Sequence, residues 1–188
     1  KGNQRFILDY LTEEVLSQLS ENIKSFLLRT SILKRLSSGL CNAVLDRDDS
    51  QSVLEWLDSN NIFLIALDEE RKWFRYHRLF SDLLQHYLQV EEPEAFPLLH
   101  KRASEWFFNN ESLDEALDHA LEAGQPELAA KMIEDSTWRI YSPHQATDFH
   151  KWITKLPSDL LVSRPKLRIS QSWALAVNGK LQEAKSEL

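Results

Sequence analysis

The spacing of the apolar residues constrains this chain more than any other feature. Across most of its 188 residues they recur every three or four positions, and only four glycines interrupt them. This is the period of one face of an α-helix, so the sequence predicts a mainly α protein. One segment breaks the pattern, because the β-rich runs 62–67 and 73–76 lie either side of a polar turn. These two runs predict one small β-hairpin.

Helical stretches precede this hairpin, and another follows it. We expect Ser20 and Ser50 to cap two of the preceding helices, because a serine side chain accepts hydrogen bonds from first-turn N–H groups. A first apolar stripe holds Leu8, Leu11, Val15 and Leu19, and later ones hold Phe26, Leu27, Leu40, Val44, Val53, Leu57, Phe80 and Leu84. Three helices, a hairpin and a closing helix are typical of a winged-helix domain.

Beyond Pro93 the sequence changes to helix pairs with regular turn signals. Ser112 and Glu115 fit a capping box, and Gly124 followed by Pro126 is the order expected between two helices. Segments 111–116 and 179–184 match at leucine, glutamate and alanine. They start 68 positions apart, which is twice the period of about 34 that tetratricopeptide (TPR) hairpins show. We therefore expect TPR-like antiparallel helical hairpins, continuing beyond this chain because the pattern runs to its last residues without a cap.

Composition and charge exclude several classes of protein. The chain has 22 basic and 29 acidic residues, a net charge of −7, and neither half is basic, which disfavours general binding to nucleic acid or an anionic membrane. The apolar run 62–67 is far too short to span a bilayer, which takes about 20 residues. A single cysteine, Cys41, excludes a disulfide framework and favours a reducing, cytoplasmic location.

The motifs of catalysis are also missing from the sequence. There is no P-loop, no H-E-x-x-H motif and no metal-ligand spacing among the six histidines, and Cys41 lies on an apolar helix face. We therefore expect no enzyme activity and no metal site in this chain. DNA binding through the winged helix is disfavoured too, because segment 37–62 holds one basic residue, Arg47, against five acidic ones.

One basic cluster remains as a candidate site, around the second predicted strand and the start of the closing helix. Strand alternation places Trp73 and Arg75 on one face, and His77 begins the helix. A histidine at a helix N-terminus beside arginines can receive a phosphate. The alternative is a histidine held only by packing, with solvated arginines around it. The cluster comprises Arg71, Lys72, Arg75, His77 and Arg78.

The segments 26–33, 54–58 and 73–84, followed by 100–107, 114–130 and 156–174, together resemble the MalT family. Its members are large ATP-binding transcriptional regulators of the LuxR type within the signal-transduction (STAND) ATPases. The resemblance implies that residues 1–19 end the lid helix of an ATPase module, residues 20–91 form a winged-helix domain, and residues 92–188 begin a TPR-like superhelix. The family's P-loop and DNA-reading domain are absent from this sequence.

The resemblance also implies a role for the basic cluster. Related ATPases carry a Met-His-Asp signature whose histidine contacts the ADP β-phosphate, and Tyr76-His77-Arg78 is similar to it. His77 is therefore the candidate ADP contact, with Arg75 and Arg78 beside it, whereas no role of the aspartate can be transferred. ADP or ATP is then the cofactor of the parent protein, bound by an upstream domain that this chain contacts.

On this hypothesis ADP closes the parent protein, and ATP with inducer opens it for self-association, while a distant domain binds promoters. A regulatory protein is a second expected partner. The alternative is a helical scaffold that binds another protein, with the winged helix as a structural adapter. Most of the aromatic residues in the second half are expected to be core, because aromatics at helical spacing usually pack between helices. They include Trp106, Phe107, Phe108, Trp138, Trp152 and Trp173.

Overall fold

A computed structural model describes residues 14–137 and 143–186, with side chains described over 14–137 and 146–186. These residues divide into two compact units, with the boundary between Trp106 and Phe107. Leu8 and Leu11 of the first predicted stripe, and Trp138, lie outside the described residues. The predicted boundaries at 19/20 and 91/92 stay predictions.

The first unit has the order of elements expected of a winged helix. After a helical turn over residues 14–18, three helices lead into the hairpin and two helices follow it. Strands β1 and β2 pair antiparallel, with Leu64 opposite Tyr76 and Ala66 opposite Phe74. The elements are α1 (Glu21–Thr30), α2 (Ser38–Leu45), α3 (Ser50–Ser59), β1 (Leu64–Ala66), β2 (Phe74–Tyr76), α4 (Arg78–Glu91) and α5 (Ala95–Asn109), the last of which crosses the boundary.

A third extended segment pairs with the hairpin. The backbone N–H of Leu36 donates to the carbonyl of Phe74 at 2.7 Å, and the N–H of Phe74 donates to the carbonyl of Leu36 at 2.9 Å. Strand β2 is therefore hydrogen-bonded to β1 along one edge and to Leu36 along the other. The side chains of Leu36, Phe74 and Tyr76 are buried with those of α1, α3 and α4 in the core of the first unit.

Two of the predicted caps differ from the structure in detail. Ser20 occupies the N-cap position of α1, but its side chain makes no capping hydrogen bond. Ser50 is the first helical residue of α3 and not its cap, because Asp49 occupies the N-cap position. The observed side-chain cap is Ser37, whose hydroxyl accepts from the N–H of Leu40 at 3.3 Å at the start of α2.

The second unit consists of helices joined by short turns. Helix α6 packs on α7, and α10 packs on α8 and α11. Gly124 and Gly179 end α6 and α10 with φ of 68° and 77°, the left-handed conformation that favours glycine after a helix. The helices are α6 (Leu113–Glu122), α7 (Pro126–Ser136), α8 (Pro143–Ile153), α9 (Ser158–Val162), α10 (Pro165–Val177) and α11 (Leu181–Ser186).

The two matching sequence segments occupy equivalent positions, because Leu113 and Leu181 each begin a helix. Ala116 and Ala184 are both buried, whereas Leu113 is 6% exposed and Leu181 is 61% exposed. The predicted capping box is not formed as expected, since Ser112 is the N-cap of α6 but makes no side-chain capping bond.

A polar contact joins α6 to α8. The indole N–H of Trp152 donates to Asp114 at 3.1 Å, and Lys151 donates to the same carboxylate at 3.2 Å. Burial alone would raise the pKa of Asp114, but these bonds outweigh it and hold the pKa below its ordinary value. Most of the six aromatics were expected in the core, but among those described only Phe107 is buried. Trp106, Phe108 and Trp152 are half-buried and Trp173 is 48% exposed, so the prediction is wrong for most of them.

Candidate functional site

The junction between β2 and α4 positions the candidate residues. Phe74 and Tyr76 are buried in the core, and the strand alternation turns Arg75 outward, where it is exposed. His77 follows as the N-cap residue of α4, and Arg78 is the first residue of that helix. His77 and Arg78 are exposed as well. The structure thus brings Arg75, His77 and Arg78 together at one helix N-terminus.

A buried hydrogen bond of Tyr76 anchors the backbone that carries this cluster. The hydroxyl of Thr30 donates to the carbonyl of Phe26 at 2.6 Å, so the phenol of Tyr76 donates to the Thr30 oxygen at 2.7 Å. Burial raises the pKa of the Tyr76 phenol, which therefore stays protonated as a donor. This bond ties β2 to α1 one residue before His77.

Substitution of both partners measures how much this hydrogen bond contributes to the free energy of unfolding. We expect Tyr76→Phe to lower the free energy of unfolding by about 1 kcal/mol, since one net buried hydrogen bond is lost. Thr30→Val should cost more, about 1 to 3 kcal/mol, because it leaves the buried phenol unsatisfied. Urea denaturation of both single variants and the double variant measures the coupling. A double variant whose loss equals the sum of the single losses would mean that the two groups do not interact.

Phe63, whose backbone is in the left-handed region, anchors the main chain of His77 through a hydrogen bond. Phe63 has φ of 49°, which is rare for a bulky side chain, and its carbonyl accepts the backbone N–H of His77 at 2.8 Å. Its ring stacks on Phe80 of α4 with centroids 4.6 Å apart, and Tyr76 meets Phe80 edge-on at 5.8 Å. The three rings fix the main chain on which His77 is carried.

The side chains of the basic cluster divide into two groups. Arg71 is paired with Asp58 of α3, and Lys72 with Glu70. Within the part of the chain that the structure describes, the side chains of Arg75, His77 and Arg78 make no ion pair or hydrogen bond. The first N–H groups of a helix also lack acceptors within the helix. Two unpaired guanidinium groups and an imidazole at such a terminus can bind an anion, and above all a phosphate.

Trp73 has a partner that the sequence did not predict. The guanidinium carbon of Arg35 lies 4.4 Å from the centre of the Trp73 ring, and Trp106 meets Trp73 edge-on at 6.3 Å. Trp73 is therefore half-buried while Arg75 is exposed. The signal that could have identified this stack is the position of Arg35, directly before the residue that pairs with Phe74.

The described residues contain neither a metal-binding cluster nor an ionised thiol. No group of three or more His, Cys, Asp or Glu side chains there could hold a metal ion. Burial raises the pKa of the Cys41 thiol to about 12, so the thiol is protonated at neutral pH. Across residues 14–137 and 143–186, no helix combines the length and apolar character needed to cross a bilayer.

The face of α3 that a DNA-binding winged helix would place in the major groove carries no basic residue. Its exposed side chains are Gln51, Ser52, Glu55, Trp56 and Ser59. The nearby Arg47 is already paired, since its Nη2 atom donates to Asp49 at 2.6 Å.

Comparison with known proteins identifies the family of the first unit. A family model, the MalT winged helix domain, matches residues 12–96. This part of the chain belongs to the MalT winged-helix family. The transcriptional regulators MalT of Yersinia pestis and Vibrio parahaemolyticus are 31% and 29% identical over 171 residues, 91% of this chain. The serine/threonine-protein kinase PknK of Mycobacterium tuberculosis is 33% identical over 173 residues, 92% of this chain.

The described residues confirm the predicted mainly α fold with a winged helix and one hairpin. The family match and the relatives confirm the resemblance to MalT. They also support a regulatory role, because the MalT relatives are HTH-type transcriptional regulators. The chain spans only 16 to 19% of the length of these relatives. The kinase activity in the name of PknK is therefore a statement about that protein.

Proposed function

We propose that this chain is the regulatory arm of a MalT-type, ATP-dependent transcriptional regulator. In this proposal an upstream nucleotide-binding domain of the same protein holds ADP, and the winged helix contacts the ADP phosphates and keeps the protein closed. ATP and inducer favour the open protein, which self-associates, and a domain elsewhere binds DNA. The chain itself performs no catalysis, contacts neither nucleic acid nor membrane, and works in the cytoplasm.

The observation that carries this proposal is the cluster of Arg75, His77 and Arg78 at the start of α4, whose side chains form no ion pair or hydrogen bond with any residue that the structure describes. The three side chains are exposed, so a second domain can reach them, and the backbone beneath them is fixed by the core. A nucleotide can shift the protein between two arrangements only if it binds one of them better. Contacts from His77 and the two arginines supply that difference in affinity for the closed arrangement.

The rate of ADP release from the full-length parent protein tests this role. A hydrogen bond to a charged group contributes about 1.5 to 3 kcal/mol. We therefore expect His77→Ala to release ADP about 10- to 100-fold faster than the unsubstituted protein. Release of fluorescently labelled ADP, chased with unlabelled nucleotide, gives the rate directly.

His86→Ala is the matched control, because His86 is exposed on the same helix and lies away from its N-terminus. The control should release ADP at the unsubstituted rate. The His77 variant should also activate transcription without inducer. Equal release rates for all three proteins would mean that the His77 side chain does not contact ADP and that His77 serves only as the N-cap residue of α4.

A helical scaffold remains the second candidate function, and one observation favours it. Ile169 and Trp173 lie four residues apart on α10 and are 60% and 48% exposed, so they form an apolar patch on the second unit. A stoichiometric protein partner that binds equally well with and without nucleotide, and that is lost in Trp173→Ala, would support the scaffold over the nucleotide switch.

A further inference from the structure

One face of α3 is exposed to solvent and carries an aromatic and an acidic side chain between two serines. Ser52, Glu55, Trp56 and Ser59 are spaced as neighbours along one side of the helix, and all four are exposed. We call these four residues the α3 outer face. The opposite side of α3 is buried through Val53, Leu54 and Leu57. The outer face therefore lies opposite the side of α3 that packs into the core of the first unit.

The α3 outer face has the chemistry of a cation-binding surface. Trp56 is 41% exposed, and its neighbours along the helix are the small residues Ser52 and Ser59, which leave the indole open. The carboxylate of Glu55 accepts one hydrogen bond, from the Gln51 amide at 2.7 Å, through a single oxygen. An open indole beside an ionised carboxylate attracts a guanidinium through its ring face and its charge.

Cations that match this face are present on the same unit. Arg75 and Arg78 are exposed and unpaired in the described part of the chain, and Leu79 beside them is 43% exposed. The other arginines near α3 are already committed, Arg47 to Asp49 and Arg71 to Asp58. Each molecule thus carries two exposed surfaces of opposite charge, the acidic and aromatic face on α3 and the pair of arginines at the start of α4.

We propose that the occupant of the α3 outer face is the Arg75 and Arg78 surface of a second copy of this protein. The two surfaces differ, so the contact is head-to-tail. The copy at each end of such an assembly keeps one unoccupied surface, to which a further copy can bind. Arg78 lies over Trp56 and pairs with Glu55, and Leu79 supplies apolar contact at the edge. A DNA partner is disfavoured, because the α3 outer face would repel phosphates.

This contact also explains why release of ADP would lead to self-association, an explanation that rests on the proposed function. While ADP phosphates occupy Arg75 and Arg78, the arginines are unavailable to a second copy. Release of ADP exposes them, and self-association follows by mass action.

Charge exchange in the full-length parent protein tests the contact. Sedimentation velocity after removal of bound ADP should show assemblies larger than a dimer for the unsubstituted protein. Glu55→Arg and Arg78→Glu should each stay monomeric, because each places like charges opposite one another. The double variant should regain assembly, since the pair is restored with its charges reversed. An equimolar mixture of the two single variants should also regain assembly, with the two variants alternating, because each contact between unlike variants joins an arginine to a glutamate.

Glu122→Arg is the control for the change in net charge, because Glu122 is an exposed residue of α6 without an ion pair in the described residues. It should assemble as the unsubstituted protein does. Trp56→Ala should assemble at least tenfold more weakly. Monomers of the unsubstituted protein at every concentration, or unchanged assembly of Glu55→Arg, would overturn the inference.

The two proposals fail separately in these experiments. Glu55 is not part of the candidate phosphate site, so Glu55→Arg should keep the unsubstituted rate of ADP release. Loss of assembly in Glu55→Arg with rescue in the double variant supports the contact even where His77→Ala leaves ADP release unchanged. A fast-releasing His77→Ala protein together with unaffected assembly of Glu55→Arg supports the phosphate site alone.

Discussion

Replacing Phe80 by alanine is expected to lower the free energy of unfolding of the first unit by about 3 to 5 kcal/mol. The Phe80 side chain is fully buried, and its ring contacts Phe63 at 4.6 Å and Tyr76 at 5.8 Å between centroids. Alanine removes the apolar contacts and leaves a cavity that the helices around it can only partly close. Urea denaturation of the 188-residue chain, followed by tryptophan fluorescence, measures the loss.

The neighbouring Leu79 is the matched control for this substitution. Leu79 is 43% exposed, so Leu79→Ala should cost about 1 kcal/mol or less. A loss for Phe80→Ala no larger than the loss for Leu79→Ala would mean that the three rings do not form the support described for His77. Because Phe63 holds the His77 backbone, we also expect Phe80→Ala to speed ADP release from the full-length protein.

Mild acid is expected to destabilise the first unit through His100. This side chain is 5% exposed on α5, and burial lowers its pKa from 6.5 to about 4. Between pH 6.5 and 4 the unfolded chain therefore binds a proton at His100 that the folded chain does not bind. The free energy of unfolding has its full value above pH 6.5 and falls as the pH falls from 6.5 to 4. A shift of this size corresponds to a loss of about 3 kcal/mol.

The slope of stability against pH isolates this effect from other changes. His100→Gln has no titrating ring, so its free energy of unfolding should fall less steeply between pH 6.5 and 4 than that of the unsubstituted chain. His86→Gln should keep the original slope, because His86 is exposed. Parallel pH curves for His100→Gln and the unsubstituted chain would show that His100 stays charged in the folded protein or titrates normally.

The fold could be predicted from residue periodicity where periodicity decides the structure. The period of three to four residues indicated the helices, and the two β-rich runs gave a hairpin that forms at 64–66 and 74–76. The third extended segment at Leu36 was missed because one bridged residue has no period of its own. The roles of Ser20 and Ser50 were also misjudged, since cap geometry depends on backbone angles that the residue type does not determine.

The candidate site could be predicted only in its order along the chain. Strand alternation and the helix start correctly placed Arg75 outward and His77 at the N-cap of α4. Residue type alone could not separate Arg71 and Lys72, which form ion pairs, from Arg75 and Arg78, which form none within residues 14–137 and 146–186. Their partners Asp58 and Glu70 were indistinguishable from other surface carboxylates, and the left-handed backbone at Phe63 has no residue signature.

The relative affinity for ADP and AMP is the measurement that tests the central claim most directly. Only ADP carries a β-phosphate, so a residue that contacts this group must contribute to the preference for ADP over AMP. Equilibrium binding of both nucleotides to the full-length protein, with and without His77→Ala, gives the coupling energy. The account predicts that His77→Ala weakens ADP binding about tenfold or more and leaves AMP binding unchanged. Equal effects on both nucleotides, or on neither, would contradict it.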